Sequence, residues 1–135
     1  MLLLDTCAAL WITEDVGLSD VAVEAVDGAQ DRGDPVYLSP ITAWEIGSLV
    51  ARGRLALSTR PHRWFDRLLA APHLHVAELS ASVLIDAWFL PGDPPRDPAD
   101  RILIATARER DLTLMTRDRQ ILDYADAGHV QAMAC

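Results

Sequence analysis

Lysine is missing altogether from this chain. Every fixed positive side-chain charge in its 135 residues is an arginine guanidinium, the group best suited to bidentate contacts with phosphate or carboxylate. A GC-rich genome produces the same arginine- and alanine-rich bias, so composition alone assigns no ligand. Cysteine is scarce: Cys7 and Cys135 are the only two, without a CxxC spacing. That excludes a disulfide scaffold and makes free thiols in a cytoplasmic protein the expectation. No apolar run reaches the roughly 18 residues that a membrane span needs, and the start Met1-Leu2-Leu3-Leu4-Asp5 lacks the basic segment of a signal peptide. Repeats, low-complexity tracts and dividing linkers are absent too. One domain over residues 1–135 is expected, large enough for a real core.

What the chain does have is acid. Its net charge of −8 is unevenly spread: residues 1–50 hold nine acids against the single Arg32, whereas residues 51–135 balance eleven acids with eleven arginines. The punctuation alternates strand and helix. Leu2–Leu4 reads as a buried strand, followed by a helix over Thr6–Thr13. Ser19 caps a helix to Arg32 with Ala22, Val23 and Val26 on its apolar side, and Gly33-Asp34-Pro35 ends it. Val36–Leu38 is a second strand. Ser39-Pro40 then starts a helix through Ile41, Trp44, Ile46, Leu49 and Val50 that stops at Gly53. A helix over Pro61–Ala71, a strand over Leu74–Leu79, and a Ser80-capped helix to about Trp88 come next. After the loop Pro91–Pro95, Asp97-Pro98 opens a helix to Arg110. Leu112–Thr116 is a strand, Arg119–Tyr124 a short helix, and His129–Ala132 a weak last strand. Strands separated by helices predict an α/β fold with a mostly parallel, helix-covered sheet.

Four carboxylates fall where such a fold gathers ligands, at the edge shared by strand C-termini and helix N-termini. Asp5 and Asp118 follow strands; Glu45 and Asp100 lie in the opening turns of helices, each beside apolar neighbours. Taken singly, each has an ordinary explanation as a cap or a dipole partner. Together they are costly: two carboxylates about 5 Å apart repel by roughly 3 kcal/mol at an effective dielectric of about 20. Such a set protonates, unfolds locally or binds a cation. All-oxygen donors suit Mg²⁺ or Mn²⁺, whereas zinc usually recruits histidine or cysteine, and His62, His73, His75 and His129 form no metal motif.

At these residues the chain resembles a known family. Leu2-Leu3-Leu4-Asp5-Thr6, Ile41-Thr42-Ala43-Trp44-Glu45-Ile46, Asp97-Pro98-Ala99-Asp100-Arg101 with its apolar continuation to Ala107, and Leu114-Met115-Thr116-Arg117-Asp118 resemble the PIN domain. The branch they are most similar to is the VapC-type toxin of bacterial toxin–antitoxin pairs, and the likeness spans essentially the whole chain. The resemblance implies a three-layer α/β/α sandwich and assigns Asp5, Glu45, Asp100 and Asp118 to the family's acidic quartet. Asp97 matches an additional aspartate, read as a cap or supporting group, and Thr116 a hydroxyl that orders the site beside Thr6. Cys7 departs from the histidine many relatives carry there.

The activity implied is a Mg²⁺- or Mn²⁺-dependent endoribonuclease, with Asp5, Asp100 and then Asp118 holding the metal and Glu45 acting through water. In-line attack would leave a 5′-phosphate and a 3′-hydroxyl. Implied partners are RNA, a cognate antitoxin whose tail covers the groove, and a second copy of the toxin. For the RNA backbone the residues themselves offer Arg52, Arg54, Arg60, Arg63 and Arg67, the densest positive stretch. Arg101, Arg117 and Arg119 neighbour the acids and suit either phosphate contact or ion pairing. Trp11, Trp44, Trp64 and Trp88 fall in apolar helical patterns and read as core or subunit packing. Two other classes compete. An aspartate-dependent phosphatase fits Asp5, but its second acid would fall at Cys7 and its usual lysine is missing. A non-catalytic PIN-like module that only binds RNA or a partner would be expected to have lost acids, and all four are present.

Overall fold

The computed structural model describes residues 1–14 and 17–135. Five short strands, β1 (Leu2–Leu4), β2 (Val36–Leu38), β3 (Leu74–Val76), β4 (Thr113–Thr116) and β5 (Ala132–Ala134), alternate with helices. The helices are α1 (Thr6–Thr13), α2 (Asp20–Arg32), α3 (Pro40–Ala51), α4 (Pro61–Leu69), α5 (Ala81–Asp86), α6 (Pro98–Arg110) and α7 (Arg119–Asp126). The strands form one sheet in the order β3-β2-β1-β4-β5, and every neighbouring pair is parallel.

Period-two alternation along the strands divides the core. Leu2 and Leu4 of β1, with Val36, Leu38 and Met115, face a cluster completed by Ala8 and Ala9 of α1, Ile46 of α3, and Trp64 and Leu68 of α4. Leu3 and Leu114 point to the other face, against Leu103, Ile104 and Ala107 of α6 and Ile121 and Tyr124 of α7. Helix α5 packs outside α6 through Val83, Ala87 and Ala105. The result is the expected three-layer sandwich. Its helix ends follow the predicted chemistry. Ser19, Ser39 and Ser80 accept hydrogen bonds from Ala22, Ile41 and Val83 backbone N–H groups, and Gly33 closes α2 at φ 73°.

Several boundaries differ from the sequence reading. The last strand is Ala132–Ala134 rather than His129–Ala132. His129 is used elsewhere: its ring lies 4.9 Å from that of Tyr124, and its carbonyl accepts from Arg108. Strand β3 stops at Val76 because its partner β2 ends at Leu38. Helix α5 ends at Asp86, and the chain tightens into three-residue turns, Trp88 N–H to Ile85 and Phe89 N–H to Asp86.

The tryptophans divide. Trp64 is buried and donates from Nε1 to Thr13 at 2.9 Å, but Trp44 and Trp88 are 66% and 63% exposed, so core packing does not account for them. Trp64→Ala should therefore cost about 3–5 kcal/mol in urea denaturation, whereas Trp44→Ala should stay within about 0.5 kcal/mol.

Candidate active site

Strand order puts the site where it is. From β1 the chain builds outward through β2 and β3, then crosses back to lay β4 on the other side of β1. The gap above the C-terminal ends of β1 and β4 is thus the switch point at which open α/β sheets bind ligands. Asp5 leaves β1 there, with its N–H bonded to the Met115 carbonyl at 3.1 Å. Two residues beyond β4, Asp118 enters the same edge.

Asp5 is 6% exposed and doubly held. As N-cap of α1 it accepts from the Ala8 N–H at 2.7 Å, and its other oxygen accepts from the Thr116 hydroxyl. That hydroxyl in turn accepts from the Asp118 N–H at 2.9 Å, so one buried threonine ties both acids to β4. Asp118 caps α7, accepting from Gln120 and Ile121 at 2.8 and 3.2 Å. Asp97 caps α6 in the same way, accepting from Ala99 at 2.8 Å and from the Asp100 N–H at 3.1 Å. On α3, Glu45 accepts from the Thr6 hydroxyl at 2.6 Å. Thr6 has a single proton to give, and the short contact to a carboxylate takes it. Its oxygen lies 3.3 Å from the hydroxyl of buried Thr42, placed to accept from it. Thr42 is the supporting residue that the sequence reading missed; its signal was a hydroxyl one turn before Glu45 in an otherwise apolar helix.

Asp100 stands apart. Half-buried in the first turn of α6, its carboxylate accepts no hydrogen bond among the described residues. Burial, then the charges of Asp97, Asp118, Glu45 and Asp5, push it up to about 7. Burial also raises Asp5 and Glu45, with the hydroxyl donors Thr116 and Thr6 pulling the other way. Partial burial and the same four acids, Asp5, Glu45, Asp118 and Asp100, push the Cys7 thiol up to about 11. At neutral pH it is a protonated thiol, neither nucleophile nor soft metal ligand.

The structure thus brings Asp5, Glu45, Asp97, Asp100 and Asp118 within one electrostatic neighbourhood, and among the described residues none of them forms an ion pair. Nor are three Asp, Glu, His or Cys side chains already drawn onto one ligand point. The neighbouring arginines turn away. Arg117 lies 3.5 Å from the Trp11 ring and donates to the Cys135 and Gly17 carbonyls at 2.9 and 3.1 Å. Arg101 lies over Trp88 at 5.6 Å and reaches the Ala87 carbonyl at 3.5 Å. Arg119 pairs with Asp123 at 3.2 Å.

Fold and site together define an α/β protein with a carboxylate centre at its switch point. Residues 2–127 match the family profile of the PIN domain. The chain is 33% identical over 123 residues to Ribonuclease VapC22 of Mycobacterium tuberculosis, covering 90% of each chain. Its fold is similar to VapBC2 from Rickettsia felis, solved with a promoter DNA fragment (TM-score 0.70, 13% identity, 98% of this chain and 97% of that one). It is also similar to FitAcB from Neisseria gonorrhoeae (TM-score 0.59, 22% identity, 98% and 96%). The chain belongs to the PIN domain family, and within it stands with the VapC-type proteins.

Asp100 fixes the sign of a stability effect. Its native pKa of about 7 lies above the ordinary 3.8, so between those values the folded state holds the extra proton and stability falls as pH rises. Metal-free protein should melt at a lower temperature at pH 8 than at pH 5.5. Asp100→Asn should flatten that slope in a calorimetric pH series.

Proposed function

We propose that this PIN-domain protein is a metal-dependent endoribonuclease and the toxin of a toxin–antitoxin pair. The single observation that carries the reading is Asp100: among the described residues its carboxylate has no hydrogen-bond donor, lies among four other acids, and no guanidinium pairs with any of them. Hard oxygen donors of this kind suit Mg²⁺, with Mn²⁺ as a substitute. Mg²⁺ is usually held by one or two carboxylates, with water and substrate phosphate completing its shell.

Asp5 and Asp100 are the ligands we assign first, then Asp118. A divalent cation bound there supplies charge neutralisation at the scissile phosphodiester and acidifies water. The chain's own groups do the rest. Asp5, fixed by Thr116 and Ala8, presents one orientation instead of sampling several. Glu45, fixed by Thr6, accepts a proton from the attacking water and orients it for in-line displacement. The water oxygen bonds to phosphorus as the P–O3′ bond breaks, and the departing 3′-oxygen takes a proton from solvent, giving a 5′-phosphate and a 3′-hydroxyl with the 2′-hydroxyl left out of the chemistry. An aspartyl-phosphate route fits poorly, since its second acid would fall at Cys7 and the chain has no lysine.

The same reading assigns a cognate antitoxin that covers the acidic centre with a basic segment, a homodimer, and a cytoplasmic site of action. It is supported by the ribonuclease relative and by folds similar to VapBC2 and FitAcB. Among the described residues no helix is long and apolar enough to cross a membrane.

With antitoxin-free protein, RNA cleavage should require Mg²⁺ or Mn²⁺ and stop with chelator. Asp5→Asn and Asp100→Asn should abolish cleavage and growth inhibition while circular dichroism stays native; wild-type cleavage by either variant would overturn the assignment. Thr116→Val should act through Asp5. We expect a stability loss of about 1–3 kcal/mol from the unsatisfied groups and a fall in kcat with KM little changed, read from steady-state cleavage of a fluorogenic RNA.

A further inference from the structure

Seven of the twelve arginines lie outside residues 52–67, and six of those seven are engaged within the chain. Arg32 pairs with Asp34 and Arg119 with Asp123; Arg101, Arg110 and Arg117 lie over aromatic rings; Arg108 donates to a carbonyl. Arg52, Arg54, Arg60, Arg63 and Arg67 behave differently. All five are exposed, and among the described residues none makes a side-chain hydrogen bond, an ion pair or a ring contact. Only Asp66 opposes them within the segment, a local balance of +4 (five arginines less one aspartate) in a chain of net −8, which leaves −12 elsewhere.

Their placement is ordered. Trp64 and Leu68 bury one side of α4, while Arg60, Arg63 and Arg67, spaced three and four residues apart, form a stripe on its solvent side. Arg52 caps the C-terminus of α3, about 10 Å along the axis from Glu45 at 1.5 Å per residue. A groove of 220 Å³ joins the two helices, lined by Ala43, Ile46 and Gly47 of α3 and by Pro61, His62, Phe65 and Asp66 of α4, so the arginine stripe lies on the flank of α4 turned away from it. The first turns of α4 therefore stand beside the turn of α3 that carries Glu45.

We propose that Arg52, Arg54, Arg60, Arg63 and Arg67, from the end of α3 along α4, form a docking surface for the phosphate backbone of single-stranded RNA. The inference rests on the ribonuclease reading and deepens it. The rest of the chain carries a net charge of −12, so long-range attraction of a polyanion falls to this segment. Unpaired guanidinium forks repeated along a stripe match repeated phosphodiesters, and backbone contacts of this kind supply affinity without reading sequence.

The test uses full-length protein in chelator, where no cleavage occurs, and a labelled mixed-sequence oligoribonucleotide followed by anisotropy across a salt series. R63A/R67A should bind about tenfold more weakly, with a log–log salt slope shallower by roughly 1.4, the value for two lost phosphate contacts on a single strand. R63K/R67K should recover most of that slope, and R52A/R54A should reproduce the loss without touching α4. With metal restored, R63A/R67A should raise KM and leave kcat at the parental value. A parental slope and affinity in both alanine pairs would overturn the docking surface. Unchanged RNA binding together with loss of binding to an acidic protein would overturn it as well, in favour of a protein contact. If the parent binds RNA through these arginines but never cleaves it, the surface stands and the nuclease reading falls.

Discussion

The seam between β1 and β4 is the constraint on which the rest depends. The Thr116 hydroxyl reaches Asp5 across 111 residues of sequence, and only the parallel register of Leu2–Leu4 on Thr113–Met115 permits it. Each strand is three or four residues long, so little else resists a slip. A shift of one residue would turn Leu3 and Leu114 into the wrong core and carry Asp5 about 3.3 Å along the strand, away from its hydroxyl donor. The hydrophobic alternation that fixes the register thus also fixes the distance between two functional acids.

The fold bears the charge of this centre unequally. Asp5, Asp97 and Asp118 occupy N-caps, where free amide groups and the positive helix end stabilise a carboxylate. For those three, local structure and site chemistry agree. Glu45 and Asp100 lie within helices instead. Glu45 has Thr6 as a donor, while Asp100 has none, and Asp100 is the acid pushed up to about 7. Asp100 thus bears burial and the charges of four neighbouring acids with no hydrogen-bond donor among the described residues to offset them. A stability cost placed at a functional group rather than spread over the core is the usual signature of a site kept for its chemistry.

Much of this was legible from local chemistry. Ser39-Pro40 and Asp97-Pro98 announce their helices because capping and proline geometry are decided by two adjacent residues. The acids could be named because their neighbours marked strand ends and first turns. The VapC-type likeness named the same residues. Strand order was not legible, since nothing in Leu112–Thr116 says that it pairs with the first strand rather than the third. Thr42 escaped because its role is to serve another hydroxyl, a contact that exists only after α1 and α3 pack. Trp44 and Trp88 are largely exposed, so of the core or subunit packing that their apolar helical period suggests, the chain's own core accounts for neither.

The arginines beside the acids show how tertiary contacts overrule adjacency. Arg101 follows Asp100 and Arg117 precedes Asp118 in sequence, yet among the described residues neither pairs with its neighbouring acid. Each is diverted onto a tryptophan: Arg117 over Trp11 at 3.5 Å with two carbonyls to receive its N–H groups, Arg101 over Trp88 at 5.6 Å. A cation over an indole face gains about 0.5–2 kcal/mol, comparable with what an exposed ion pair to the neighbouring carboxylate offers. The bonded carbonyls decide the contest for Arg117. Among the described residues, the guanidiniums nearest the acids are thus held elsewhere and pair with no carboxylate of the site. The guanidiniums of Arg52, Arg54, Arg60, Arg63 and Arg67, by contrast, are exposed and, among the described residues, paired with no acid.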